Sequence, residues 1–176
     1  MAPNLAHMII DSGWDFVLLT SSRLDWNDPE ARRLFVVAMD RDLGYYFTKV
    51  VDEQFDGDLA AHAERIVDSV DEDFIRYFAT VEQVPQLNRN DSWGVDCEGD
   101  LITRALAEAG EMRGLHHISH LQLDPTMWHS TGPMHSFRDY HRDDLPKFDV
   151  TRPPMYDGWR RSTKQSDVAF LHEIND

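Results

Sequence analysis

The sequence predicts an α+β fold in a single compact domain, on three observations. Apolar residues recur at helical spacing through the middle of the chain, between Asp58 and Ala109. Shorter β-rich runs stand before and after that stretch. No internal repeat, low-complexity tract or linker divides the 176 residues. A chain of this length buries roughly two-thirds of its unfolded surface and needs no disulfide or metal to hold a core.

Trp14 to Thr20 is an apolar, partly β-branched run after Ser12-Gly13 and reads as a strand. Asp28 and Pro29 look like a helix start, because an aspartate caps free amides and proline suits the first turn. Two readings compete next. Phe35, Met39, Leu43, Tyr46, Phe47 and Val50 suit a helical stripe, whereas Leu34–Met39 and Tyr45–Val51 are β-rich runs around Asp40 to Gly44. Gly44 is awkward inside a helix and natural in a turn, so a hairpin is favoured.

From Asp58, an N-cap, Leu59, His62, Ala63, Ile66, Val67 and Val70 form a helical stripe. A second helix is expected from Glu72 to Gln83, with Phe74, Ile75, Phe78 and Val81 inward and Pro85 beyond its end. Asp96 caps a third, from Cys97 to Ala109, with Gly110 as its stop. Leu115 to Leu123 alternates as a strand, which puts His116, Ile118 and His120 on one face and His117 and Ser119 on the other. From about residue 124, Pro133, Pro146, Pro153 and Pro154 mark a loop-rich, histidine-rich extension wrapped on the body, and Asp167 to Ile174 forms a last short element.

Charge is the dominant compositional signal. Thirty-two acidic residues against 17 basic ones give a formal −15. From Met1 to Asp100 there are 21 acidic and 8 basic residues, and from Leu101 onward 11 and 9. This balance speaks against direct nucleic-acid binding, which requires local positive charge to displace counterions. Asp52, Glu53, Asp56, Asp58, Glu64, Asp68, Asp71, Glu72 and Asp73 fall within 22 positions, opposed only by Arg65. A solvated face that maintains solubility accounts for such a run. The sharper reading is a surface that docks on a basic partner, as an inhibitor or mimic occupying a nucleic-acid-binding protein.

One cysteine, Cys97, excludes an intramolecular disulfide and suits a reducing compartment. No signal peptide or apolar run of membrane-spanning length is visible, so a cytoplasmic protein without membrane contact is expected. Trp93-Gly94-Val95-Asp96-Cys97-Glu98-Gly99, followed by a helix to Gly110, resembles the nucleophile segment of transglutaminase-like and papain-type thiol enzymes across 18 residues. The resemblance implies a thiol hydrolase or acyltransferase with Cys97 as nucleophile, followed in chain order by His135 and Asp149, with His117, His120 and His129 as rival bases. Asp100 and Leu101 stand where that group carries an aromatic–alanine pair, and Asp96 beside the sulfur opposes thiolate formation. A small buried cysteine at a helix start is the plainer account.

His116, His117, His120, His129, His135 and His141 crowd into 26 residues near several aspartates. No HExxH or paired CxxC spacing accompanies them, so hydrogen-bonded or surface histidines are expected rather than a metal site. Neither GxxxxGK nor GxGxxG occurs, and no cofactor is expected.

Overall fold

A computed structural model describes residues 8–10, 13–28, 30–52, 54–70, 72–87, 98–125 and 128–131. The elements run α1 (Gly13–Ser21), β1 (Arg33–Met39), β2 (Tyr45–Val51), α2 (Leu59–Asp68), β3 (Tyr77–Gln83), α3 (Glu98–Glu111), β4 (His116–Leu123) and β5 (Trp128–Thr131). One mixed sheet in the order β2-β1-β3-β4-β5 joins all five strands, so the fold is α+β. The loop-rich extension, the Asp96 cap and the element at Asp167 to Ile174 lie outside the described residues.

β1 and β2 form the expected hairpin. The Asp40 carboxylate accepts from the backbone amides of Asp42 (2.9 Å) and Gly44 (2.8 Å), and so closes the turn. A Cβ on Gly44 would lie 2.6 Å from that carboxylate, so a larger residue there would have to displace it from the turn. β3 pairs antiparallel with β1 and parallel with β4, and α3 makes the crossover that a parallel pair requires.

The sheet is covered on both faces. Phe35, Val37, Met39, Tyr77, Ala79, Val81, Ile118 and Leu121 pack under α1 and Ile10. Leu34, Val36, Ala38 and Phe78 pack under α2 and α3, against Ala63, Ile66, Ile102 and Leu106. Each fully buried phenylalanine or isoleucine here contributes roughly 1.5–3 kcal/mol.

Two expected elements change type, both through burial. Trp14 to Thr20 belongs to helix α1 and not to a strand. Almost every residue of α1 is buried, so its sequence carries no helical period to separate it from a buried strand. The hydroxyls of Thr20 and Ser21 donate back to the carbonyls of Phe16 and Leu18, both at 2.9 Å. The helix expected over Glu72 to Gln83 is instead a connection followed by β3, whose seven side chains are all buried between two neighbouring strands.

Two expected helix ends also move. Asp28 starts no helix; its carboxylate accepts from the amide of Glu30 (3.0 Å) and its carbonyl from that of Ala31, a turn that leads into β1. Gly110 is not the stop of α3, which continues to Glu111 and closes at Gly114, where φ is +73°. There Leu115 N donates to Gly110 O and Gly114 N to Glu111 O, the paired bonds of a Schellman ending.

The free edge of β2 is partly covered. Ile10 N donates to Leu43 O, Tyr45 N to Met8 O, and the Arg23 guanidinium to Thr48 O. No described helix is long and apolar enough to cross a membrane.

Gly110 has no room for a side chain: an added Cβ would meet the Leu115 carbonyl oxygen at 2.9 Å and the Phe78 ring at 3.1 Å. Gly110→Ala is therefore expected to destabilise the protein by about 1–3 kcal/mol, although alanine is the better helix former. Urea unfolding monitored by circular dichroism measures this, and a stabilised variant would contradict the packing described.

Candidate functional site

α2 forms because Asp58 caps it, accepting from Ala61 N at 3.2 Å, and because Ala63, Ile66 and Val67 bury one stripe. Its other side carries Glu64 and Asp68, both exposed. α3 packs alongside α2 on the same face of the sheet and turns Glu98, Glu108 and Glu111 outward. Sequence reading did not group these α3 carboxylates with the acidic run, because only the packing of the two helices makes them neighbours.

Of the nine acidic residues singled out from the sequence, Glu53 and Asp71 lie outside the described residues and the other seven are exposed. Three have local tasks. Asp56 lies 3.3 Å from His62 Nε2, Asp58 is the cap, and Asp68 pairs with Arg113. The carboxylates of Asp52, Glu64, Glu72 and Asp73 have no hydrogen-bond or ion-pair partner among the described residues. Across the two helices the opposing cations are Arg65, Arg104 and Arg113; Arg104 bonds Asp100 at 2.6 Å and Arg65 bonds His62 at 2.8 Å.

Glu72 and Asp73 leave the helical layer and line an open groove with Asp42, Tyr46, Phe74 and Arg76. Phe74, expected in the core of a helix, is 73% exposed there, and Tyr46 is 47% exposed. Cys97, His135 and Asp149 lie outside the described residues, as do the rival His129 side chain and His141.

A second polar cluster lies beneath the helices. The pairing of β3 with β4 shifts register between Phe78 and Thr80, which face His117 and His120. The extra residue brings His117 and His120 to the same face, correcting the simple alternation that separated them. The Thr80 hydroxyl lies 2.9 Å from His120 Nδ1 and 3.2 Å from His117 Nε2. His120 Nε2 faces Glu82 Oε2 at 3.4 Å, and that oxygen accepts from Gln122 Nε2 at 2.8 Å. The Thr80 hydroxyl thus bridges the two imidazoles, and His120 Nε2 faces the Glu82 carboxylate at ion-pair distance rather than in a hydrogen bond. Phe55 stands edge-on to His120, and Phe78 lies against His117 with ring centres 5.0 Å apart.

Burial, with the neighbouring His120, pushes His117 down to about 3, against the opposing pull of the Ser119 and Thr103 backbone. For Glu82, burial acts upward, but the nearby His120, with help from Gln122 and Arg32, holds its carboxyl below the usual value. Among the described residues no three His, Cys, Asp or Glu side chains converge as metal ligands. The cluster is sealed: Thr80 and His120 have no exposed surface, and what it does chemically is fix the register of two central strands.

No protein-family model matches the chain, and no curated protein sequence matches it.

Below pH 6.5 the unfolded chain protonates His117 while the folded chain does not until about pH 3, so stability falls as pH falls through that window. Its share of the loss approaches the order of 4 kcal/mol. Glu82, held ionised in the fold, adds a further loss as pH falls through its lowered titration range. His117→Gln is expected to flatten the dependence between pH 6.5 and 3 and to leave the Glu82 share in place. Urea midpoints at a series of pH values test this; an unchanged slope in the variant would contradict it.

Proposed function

We propose that the chain is an acidic binding protein that acts through protein–protein contacts, as an inhibitor or mimic that occupies a basic, nucleic-acid-binding surface of its partner. The observation that carries the reading is the α2–α3 layer, in which two neighbouring helices turn their carboxylates to solvent while Arg104 and Arg113 are already paired. The formal charge of −15 extends that field to the whole molecule. Glu64 and Asp68, four residues apart on one face, repel each other at a cost of roughly 0.2–0.5 kcal/mol. Arg113 offsets Asp68, so Glu64 supplies the uncompensated charge of that face, felt over a screening length of about 8 Å at physiological salt. Complementary charge of this kind raises association rates more than it lengthens lifetimes.

The reading places the protein in the cytoplasm, the reducing compartment that a chain with one cysteine suits. Its partner is a protein that handles nucleic acid, and the chain itself contacts neither nucleic acid nor membrane.

Immobilised protein is expected to retain basic nucleic-acid-binding proteins from nuclease-treated lysate at low salt, to release them as salt rises, and to lose them to competing DNA or RNA. The double variant Asp52→Lys/Glu64→Lys alters two exposed carboxylates without described partners and is expected to slow association about tenfold at low salt, read by surface plasmon resonance. Retention of no basic protein at low salt, or an unchanged association rate, would remove the reading.

A further inference from the structure

Three connections meet at the end of the sheet where β3 and β4 begin. They are the β1–β2 turn, the segment between α2 and β3, and the turn between α3 and β4. The groove between them has a volume of about 880 Å³. Exposed aromatic residues on a protein surface are ordinary when they stand singly. Here Phe74 at 73% and Tyr46 at 47% exposure line the same concave surface, flanked by carboxylates.

The charges of the groove are unequal in availability. Arg113 pairs with Asp68 and Arg41 lies 3.5 Å from Asp42, while Arg76 is tied to the Gly114 carbonyl and keeps its charge. The Asp40 carboxylate is likewise turned into its own hairpin. The carboxylates of Glu72 and Asp73, both exposed in the segment leading to Phe74, have no partner among the described residues. The groove therefore presents two available carboxylates next to two ring surfaces.

We infer that this groove is the docking point for an extended peptide segment of the partner in which a lysine or arginine stands beside a large apolar side chain. The inference rests on the acidic-binding reading and deepens it, by naming where on the molecule the partner inserts and what it inserts. The cation sits between the Glu72 and Asp73 carboxylates, where an aromatic face also attracts it. The apolar neighbour covers Phe74 and removes its ring from water. A purely cationic segment satisfies the carboxylates and leaves the rings wet, and a purely apolar one does the reverse. The pairing of the two is what the groove selects.

The test uses the full chain and three synthetic peptides of equal length: alternating lysine and leucine, lysine alone diluted with glycine to the same charge, and alternating glutamate and leucine. Calorimetry at low salt gives affinities, and amide chemical-shift mapping gives the location. The lysine–leucine peptide is expected to bind about tenfold more tightly than the lysine–glycine peptide, with shifts centred on Tyr46 and Glu72 to Arg76. Phe74→Ser and the double variant Glu72→Lys/Asp73→Lys should each abolish that preference. Since Phe74 is largely exposed, an unchanged thermal midpoint checks that the serine variant still folds.

Equal affinity for both cationic peptides, with shifts spread over α2 and α3, overturns the groove and leaves the acidic-binding reading in place. Equal binding of the glutamate–leucine peptide also overturns it, because charge then plays no part. Binding of neither cationic peptide at low salt removes the acidic-binding reading, and the groove proposal with it.

Discussion

β3 constrains the rest of the described structure. It is the middle strand of five, and all seven of its side chains are buried although three, Thr80, Glu82 and Gln83, are polar. A buried polar group left without a partner costs about 1–3 kcal/mol, so each of the three dictates what its surroundings must supply. β4 supplies His120 and Gln122 directly opposite Thr80 and Glu82, and a register slip between Phe78 and Thr80 brings His117 to the same face. Gln83 is met by a loop: its amide nitrogen donates to Asp25 O at 2.7 Å, and Asp25 N donates to its oxygen at 3.0 Å. The segment after α1 is thereby tied to the sheet.

The same constraint separates the interior histidines from the exterior carboxylates. The Thr80 hydroxyl touches both interior rings in a buried layer, and burial there favours neutral imidazole at His117. Apart from the Asp58 cap and the Asp68–Arg113 and Asp100–Arg104 pairs, the exterior carboxylates stand on helices that the apolar inner stripes hold in place. Surface charge can therefore vary while the β3–β4 contacts remain fixed.

Much of the architecture was legible in the residues. The hairpin follows from Gly44 and the β-rich runs beside it, and α2 from Asp58 and a clean 3.6-residue stripe. What failed was the separation of helix from strand where burial is complete. Trp14 to Thr20 and Tyr77 to Gln83 are both covered on all sides, one as a helix and one as a strand, and neither carries a period that distinguishes them. The exposed acidic run was readable as a run, but the α3 carboxylates beside it were not, since their proximity arises from helix packing. Phe74 was assigned to a core because hydrophobicity alone does not report which phenylalanine remains in water, and the shared face of His117 and His120 depends on a bulge that sequence alternation does not reveal.

The covering of β2 has a further consequence. An outer strand with unfilled amides and carbonyls is a template on which another chain can add, and repetition of that event produces aggregates. Here a three-residue stretch, Met8 to Ile10, and one guanidinium, that of Arg23, already occupy backbone positions along that border. Among the described residues these contacts occupy part of that border, and their loss would lengthen the stretch on which another chain can add.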